Sequence, residues 1–326
     1  MTDHATTGFA PMNAGFNATF KPGQLSVGLV APLEAYAVGA APSMAGHIAR
    51  IQLAERLGFS AIWLRDVPFN VPSFGDVGQM FDPFVYLGAL AASTERIALG
   101  VGSIILPLRH PAHVAKAAAS ADVLSGGRLL LGVASGDRPE EYPAMNMSFA
   151  DRGDRFRDSM AYMRAVAREN PHHDGTHGRL DGHIDILPKP VAGPIPMLIT
   201  GGSRQSPDWV AGHGDGWITY PRDATSQGRV IAEYRARVAA AGKVDKPVMQ
   251  SLYVDLLDDP NSEPRPIHLG FQSGTAFLLA YLQQIQALGV NHVALNLRFN
   301  AADIDATLHR IADHILPHLA PQRSVT

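Results

Sequence analysis

Eight short apolar runs, each followed by a stretch of helical spacing, organise this chain of 326 residues. A strand separated from the next by a helix pairs with it in parallel, because the crossover returns the chain to the same end of the sheet. The runs span residues 25–30, 61–64, 97–106, 128–133, 196–200, 216–220, 247–257 and 292–297. Several are apolar on consecutive positions, as in strands covered on both faces. Eight such units predict an α/β fold closed into a (β/α)8 TIM barrel, with a doubly wound open sheet as the alternative.

Start and stop signals divide the helices. Ser43 is read as the cap of a helix that runs to Leu57 and ends at Gly58. Asp82-Pro83 opens the next, Pro111 opens a third, and Ser125-Gly126-Gly127 ends it. Further helices are expected over 151–169, 203–211, 223–241, 273–288 and 302–319. Residues 170–190, rich in Gly, His and Pro, read as an inserted loop or hairpin turning at Asp181-Gly182. A second proline-rich insertion covers 258–272, and with the loop 68–81 it is a candidate lid. Residues 1–24 lack a basic start and an apolar core. They are expected as an extended or disordered arm before a single barrel domain over 25–326.

Composition removes several classes of function. There is no cysteine, which excludes disulfides, thiolate metal sites and a cysteine nucleophile. A net charge of −3 from 27 basic and 30 acidic residues gives no reason to expect nucleic acid or an anionic membrane as partner. No apolar run reaches the ~18 residues of a membrane span, so the expected location is the cytoplasm.

The chemistry is expected where the strands end, since ligands of parallel α/β folds bind there. Residues 99–137 form a strand, helix and strand that bring Ser103 and Ser135-Gly136-Asp137 to one end of the sheet. After the fifth strand, Thr200-Gly201-Gly202-Ser203-Arg204-Gln205-Ser206 combines flexible backbone, hydroxyls, one cation and a helix start. It can cradle a phosphate, or Ser203 can simply cap the helix. Arg65 and Asp66 leave the second strand at the same end, as catalytic candidates or as a surface ion pair. Arg109-His110 follows the third strand, as a closure of the mouth or as a structural pair at a helix start, and Tyr220 and Arg298 are further pocket candidates, whereas Trp209 reads as packing. His172, His173, His177 and His183 lack helical i, i+4 spacing and neighbouring thiolates, so no metal site is expected. The run 100–105 lacks the third glycine of a dinucleotide fingerprint, and no Gly-x-Ser-x-Gly elbow is present.

The segments GVGSIILPLRHP, ADVLSGGR and LLLGVASGD resemble the bacterial luciferase-like flavin monooxygenases. A subgroup of unassigned substrate has the same look in IWLRDVPF, DPFVYLGAL, GGRLLLGVASGDRPEEYPA, TGGSRQSPDWVA and GVNHVALNLRF, which together span about 25–318. The resemblance implies that Ser135, Gly136 and Asp137 hold a flavin phosphate together with Gly202, Ser203 and Ser206, and Gly201 and Arg204 of the same turn are further cofactor-binding candidates. It implies a non-prolyl cis peptide at Gly102–Ser103 supporting the flavin ring, and Arg109 beside the flavin at the barrel mouth. The light-emitting enzyme has arginine at the position of Ser135 and a catalytic histidine at that of Asp66, so aldehyde oxidation is not carried over.

The leading functional expectation is an oxidoreductase using reduced FMN and oxygen on a small organic substrate. The reduced flavin would come from a separate reductase, and the protein would pair as a homodimer through the helices flanking strands two and three. Two alternatives stand beside it. One is hydride transfer from a reduced deazaflavin coenzyme, whose acidic tail would call for a basic groove in which only Arg204 is evident. The other is a non-catalytic flavin-binding paralogue.

Overall fold

The computed structural model describes residues 8–36, 39–74, 77 and 80–319. Its barrel strands are β1 (Ser26–Val30), β2 (Ala61–Leu64), β3 (Ala98–Ile105), β4 (Leu129–Ala134), β7 (Met197–Thr200), β8 (Gly216–Thr219), β9 (Val248–Leu256) and β12 (His292–Asn296). A hairpin of β5 (His172–Gly175) and β6 (Gly178–Asp181) lies between β4 and β7, and β10 (Arg265–Ile267) with β11 (Gly270–Ser273) follows β9. The barrel strands pair in parallel in the order β9-β12-β1-β2-β3-β4-β7-β8, and β8 pairs with β9 to close the ring. The closed (β/α)8 barrel is therefore the fold, and the open sheet is excluded.

Helix α1 (Ala14–Thr19) precedes the barrel. Helices α2 (His47–Arg56), α3 (Pro83–Ser93), α4 (Pro111–Leu124), α6 (Arg152–Val166), α7 (Pro207–His213), α8 (Ala224–Ala240), α9 (Thr275–Ala287) and α10 (Ile304–His314) follow the successive strands, with the short α5 (Glu141–Ala144) in the loop after β4. Three of them begin with a capping side chain and then proline. Asp82 accepts from the N–H groups of Phe84 and Val85, His110 from Ala112, and Ser206 from Trp209.

Side chains alternate along each strand between the helix layer and the barrel interior. Leu29, Ile62, Leu64, Leu99, Val101, Leu131 and Val133 pack in the outer core. Ala61, Trp63, Ala98, Leu130, Leu198, Ile218, Met249 and Ala294 fill the interior. Trp63 fits because the facing residue is Gly100, where a Cβ would stand 2.4 Å from Trp63 Cε3. Gly28 likewise admits His292, whose ring a Cβ would meet at 2.8 Å. Trp63 Nε1 donates to His292 Nε2 at 2.8 Å, which places the imidazole proton on Nδ1. Nδ1 then donates to Ser26 Oγ at 2.7 Å, and that hydroxyl donates to Thr19 O.

Four expectations change. Within its described part, the segment before residue 25 is not an extended or disordered arm. Asn13 caps α1, and Phe16 and Phe20 are buried against the interior cluster, because the N-terminal end of the barrel needs an apolar plug. Ser43 caps no helix, since its N–H and hydroxyl both bond the Glu34 carboxylate, and α2 starts at His47. The 170–190 hairpin turns at Thr176-His177, while Asp181 is its last paired residue, opposite His172. Residues 258–272 are not a free lid, because β11 adds in parallel to β9, where Gly270 lies against the Tyr253 backbone. Residues 1–7, 37–38, 75–76, 78–79 and 320–326, within the expected arm, first lid and domain limits, lie outside the described residues.

Burial pushes the His292 imidazole down to about 3. As pH falls below ~6.5 the unfolded chain takes up a proton that the folded chain refuses, so stability declines with acidity by at most ~1.4 kcal/mol per pH unit in that window. Urea denaturation of wild type and His292→Gln between about pH 6 and about pH 4 should show the shallower loss in the variant. Equal slopes would contradict the buried neutral imidazole.

Candidate functional site

The C-terminal ends of β2, β3, β4, β7 and β8 surround a cavity of about 430 Å³. Its wall contains Arg65 and Asp66 after β2, Gly102 and Ser103 in β3, Ser135, Gly136 and Asp137 after β4, Ser203 and Arg204 after β7, and Tyr220 after β8. Nine of the residues singled out in the sequence as catalytic or cofactor-binding thus converge on one space.

The floor is shaped by a bulge in β3. Pairing with β4 slips between Val101 and Ile104, and the Gly102–Ser103 peptide bond is cis. Gly132 of β4 makes room for it, since a Cβ there would stand 2.6 Å from Val101 O and 3.0 Å from Ser103 Oγ. Ser103 Oγ bonds Thr200 Oγ1 across the barrel. The bulge is held from behind by Asp66. Its Oδ2 accepts from Ile105 N at 3.1 Å and from Arg109 Nε at 3.0 Å, and its Oδ1 accepts from Arg109 Nη2 at 2.7 Å. Arg109 also reaches Asp82 Oδ2 at 2.8 Å.

This bonding changes the reading of two candidates. The Asp66 carboxylate is engaged by three donor groups and clamps the strand. Arg109 is absent from the cavity wall and completes that clamp. Burial would lower the Arg109 guanidinium, but Asp66 and Asp82 outweigh it and push it up. Burial would raise the Asp82 carboxyl, but Arg109 and the N–H groups of Val85 and Phe84 hold it below the usual carboxylate range.

The turn after β7 has two faces. Ser203 (φ 43°) and Arg204 (φ 60°) adopt left-handed backbone that non-glycine residues rarely take, a cost of order 1 kcal/mol each that concentrates at ligand sites. Ser203 Oγ donates to Thr200 O at 2.8 Å. Among the described residues, no intrachain acceptor serves the N–H groups of Gly202, Ser203 and Arg204. Gly201 and Gly202, however, line a separate cleft of about 270 Å³ beside Trp217 and Tyr234, on the outer side of the turn. Ser206 is absent from the cavity wall, and its hydroxyl caps α7. Ser203 is therefore not the helix cap, and that role falls to Ser206.

Three charged residues of the wall have no part in the sequence-based selection: Arg138, Glu141 and Arg152. Arg152 opens α6, whose Gly153 packs so closely on the turn that a Cβ would stand 2.9 Å from Arg204 Cβ. Gln205 Nε2 donates to Gly153 O at 2.8 Å and fixes the approach. Burial lowers the Arg152 guanidinium, and the Arg204 charge lowers it further. Two like charges thus line the same cavity and repel each other. Arg138 lies over the Phe74 ring at 4.3 Å, and Ser73 Oγ donates to Glu140 at 3.2 Å. These contacts draw the short 3-10 helix Pro72–Phe74 over the site.

Removing one partner of a largely buried ion pair leaves the other unpaired, at a cost of about 1–3 kcal/mol where water reaches one side. Asp66→Ala and Arg109→Ala should each lower stability by that order, and the double variant should lose less than the sum. Denaturant melts forming a double-mutant cycle measure this, and additive losses would contradict the clamp.

Comparison with known proteins places the chain in a family. Residues 24–271 match the luciferase-like monooxygenase family. An F420-dependent hydroxymycolic acid dehydrogenase of Mycobacterium tuberculosis is 30% identical over 201 residues, 60% of this chain and 54% of its own length. The oxygenase component of a flavin-dependent trigonelline monooxygenase of Acinetobacter baylyi is 28% identical over 165 residues, 49% of this chain and 41% of its own. This chain therefore spans about half the length of these two relatives. Among solved structures, monooxygenase RslO1 of Streptomyces bottropensis superposes with a TM-score of 0.76 at 21% identity, covering 90% of this chain and 100% of its own. An F420-dependent secondary alcohol dehydrogenase follows with 0.74 at 18%, covering 91% and 99%, and both share the fold. With the barrel, the β3 bulge and the matched 24–271 in place, the chain belongs to the luciferase-like monooxygenase family.

Proposed function

We propose that this protein is an oxidoreductase that binds reduced FMN in the mouth cavity and uses it with oxygen on a small organic substrate. The carrying observation is the Arg152–Arg204 pair. Two cations lining the same cavity match the charge of one phosphate monoester dianion. The N–H groups of Ser203 and Arg204, with Ser135 and Gly136 opposite, supply donors for the remaining phosphate oxygens. The residues present therefore fit the cofactor. Gly102 and Ser103 give the flavin ring a flat backbone surface.

Bound reduced flavin would supply the electron pair for the reaction. The chain's own work is positioning and shielding. Partial burial raises the Tyr220 phenol, and the Asp137 charge adds to this, so Tyr220 stays protonated as a donor at the cavity rim. Phe74, held by Arg138, and Phe149, under the Arg152 guanidinium at 3.5 Å, cover the site against water. The relative from Acinetobacter is an oxygenase component. By analogy, a separate flavin reductase would supply the reduced cofactor here.

One observation favours a second reading, hydride transfer from a reduced deazaflavin. The cavity wall holds Arg65, Arg138, Arg152 and Arg204, where the sequence alone made only Arg204 evident, and a coenzyme with an acidic tail would use such a rim. The Arg138 guanidinium lies over the Phe74 ring at 4.3 Å, however, which leaves the Arg152–Arg204 pair as the main match for anionic charge.

Fluorescence titration with FMN and with phosphate-free riboflavin tests the phosphate assignment. Arg152→Ala or Arg204→Ala should weaken FMN about tenfold or more and leave riboflavin unchanged, as loss of a charge-assisted contact of ~1.5–3 kcal/mol requires. Equal weakening of both ligands would contradict it. Oxygen uptake with reduced FMN, set against reduction by a deazaflavin coenzyme, separates the two readings.

A further inference from the structure

Glu141 is a carboxyl group that neither the clamp nor the phosphate site uses. It opens α5 and is 2% exposed, yet it belongs to the wall of the mouth cavity. Its carboxylate accepts the backbone N–H of Phe69 from the loop after β2. Its Oε1 is buried and accepts no hydrogen bond among the described residues. The guanidinium of Arg138 stands 3.9 Å from that oxygen, beyond hydrogen-bond reach. An acceptor without a donor, buried in a ligand cavity, is costly unless a ligand or a proton satisfies it.

We propose that Glu141 is the proton-holding group of the mouth cavity, with Oε1 carrying the proton toward the bound ligand. When negative charge develops on a ligand oxygen or nitrogen, the O–H bond of the carboxyl breaks and a new bond to that atom forms. The carboxylate left behind recovers a proton from water at the mouth, and no electrons change hands at Glu141. The surroundings suit this. Burial raises the Glu141 carboxyl above its ordinary range. Arg138 and the Phe69 N–H oppose that rise, and Asp66 and Asp137 add to it. The protonated form thus persists nearer neutrality than for a glutamate in water, which is what a proton donor at working pH needs. The proposal rests on the flavin reading only for what fills the cavity.

Two measurements on the full-length protein test it, with Glu141→Gln as the isosteric variant and Glu140→Gln as the neighbouring control. Infrared titration should show a protonated-carboxyl band surviving above the ordinary glutamate range of about 4.3, absent from Glu141→Gln and retained in Glu140→Gln. FMN affinity should fall with rising pH more steeply in wild type than in Glu141→Gln, by up to about tenfold for each unit by which the ligand shifts the carboxyl. The FMN phosphate also titrates, near pH ~6, but does so with both proteins and cancels in their comparison. A band unchanged in Glu141→Gln overturns the proposal. A band lost without any change in the affinity profile overturns the claim that the proton faces the ligand. If FMN binds neither protein, the flavin reading falls, and the band alone decides whether Glu141 holds the proton.

Discussion

The mouth of this barrel depends on one carboxylate facing inward from the end of β2. Asp66 takes the N–H of Ile105 immediately beyond the β3 bulge, and Arg109 fixes it from the far side. A bulge leaves backbone unpaired and bends the strand, so it needs an outside partner to hold one shape. Here the partner comes from the neighbouring strand, and its counter-ion comes from the loop that caps α4. The same Arg109 bonds Asp82, the cap of α3. The position of the floor, two helix starts and the end of β2 are therefore set by one connected group of charges.

This arrangement explains why the sequence revealed the platform more readily than the roles on it. Strands with consecutive apolar residues announce burial on both faces, and the cap-proline pairs Asp82-Pro83 and Ser206-Pro207 announce helix starts, so the barrel was legible from local signals. The two halves of the cavity were legible for the same reason, since strand ends and Gly-rich turns follow directly from those boundaries. The role of Asp66 was not, because an acid beside an arginine at a strand end looks identical whether it faces a substrate or a clamp. Only the spatial meeting with Arg109, 43 positions away, separates these. Arg152 carries no sequence signal at all. It enters the site because Gly153 lets α6 touch the turn after β7. The N-terminal plug was missed because Phe16 and Phe20 acquire a partner only when the far end of the barrel closes.

Polarity is divided along the barrel axis. At the N-terminal end, Trp63, His292 and Ser26 satisfy one another in a closed chain with no ionised group. Toward the mouth, arginines and carboxylates multiply, and some of their atoms lack partners, among them Arg152 Nε and Glu141 Oε1. A protein interior retains such groups where a ligand completes them. The apolar half gives rigidity, and the unfinished polar half gives the site its chemistry.

The central claim is that the cavity is a flavin site whose phosphate lies between Arg152 and Arg204. A crystal structure of the protein with FMN tests it most directly. The account predicts the phosphate within hydrogen-bond reach of both guanidinium groups and of the Ser203–Arg204 backbone, with the ring against Gly102 and Ser103. A flavin bound elsewhere, or one whose phosphate points away from both arginines, would contradict it.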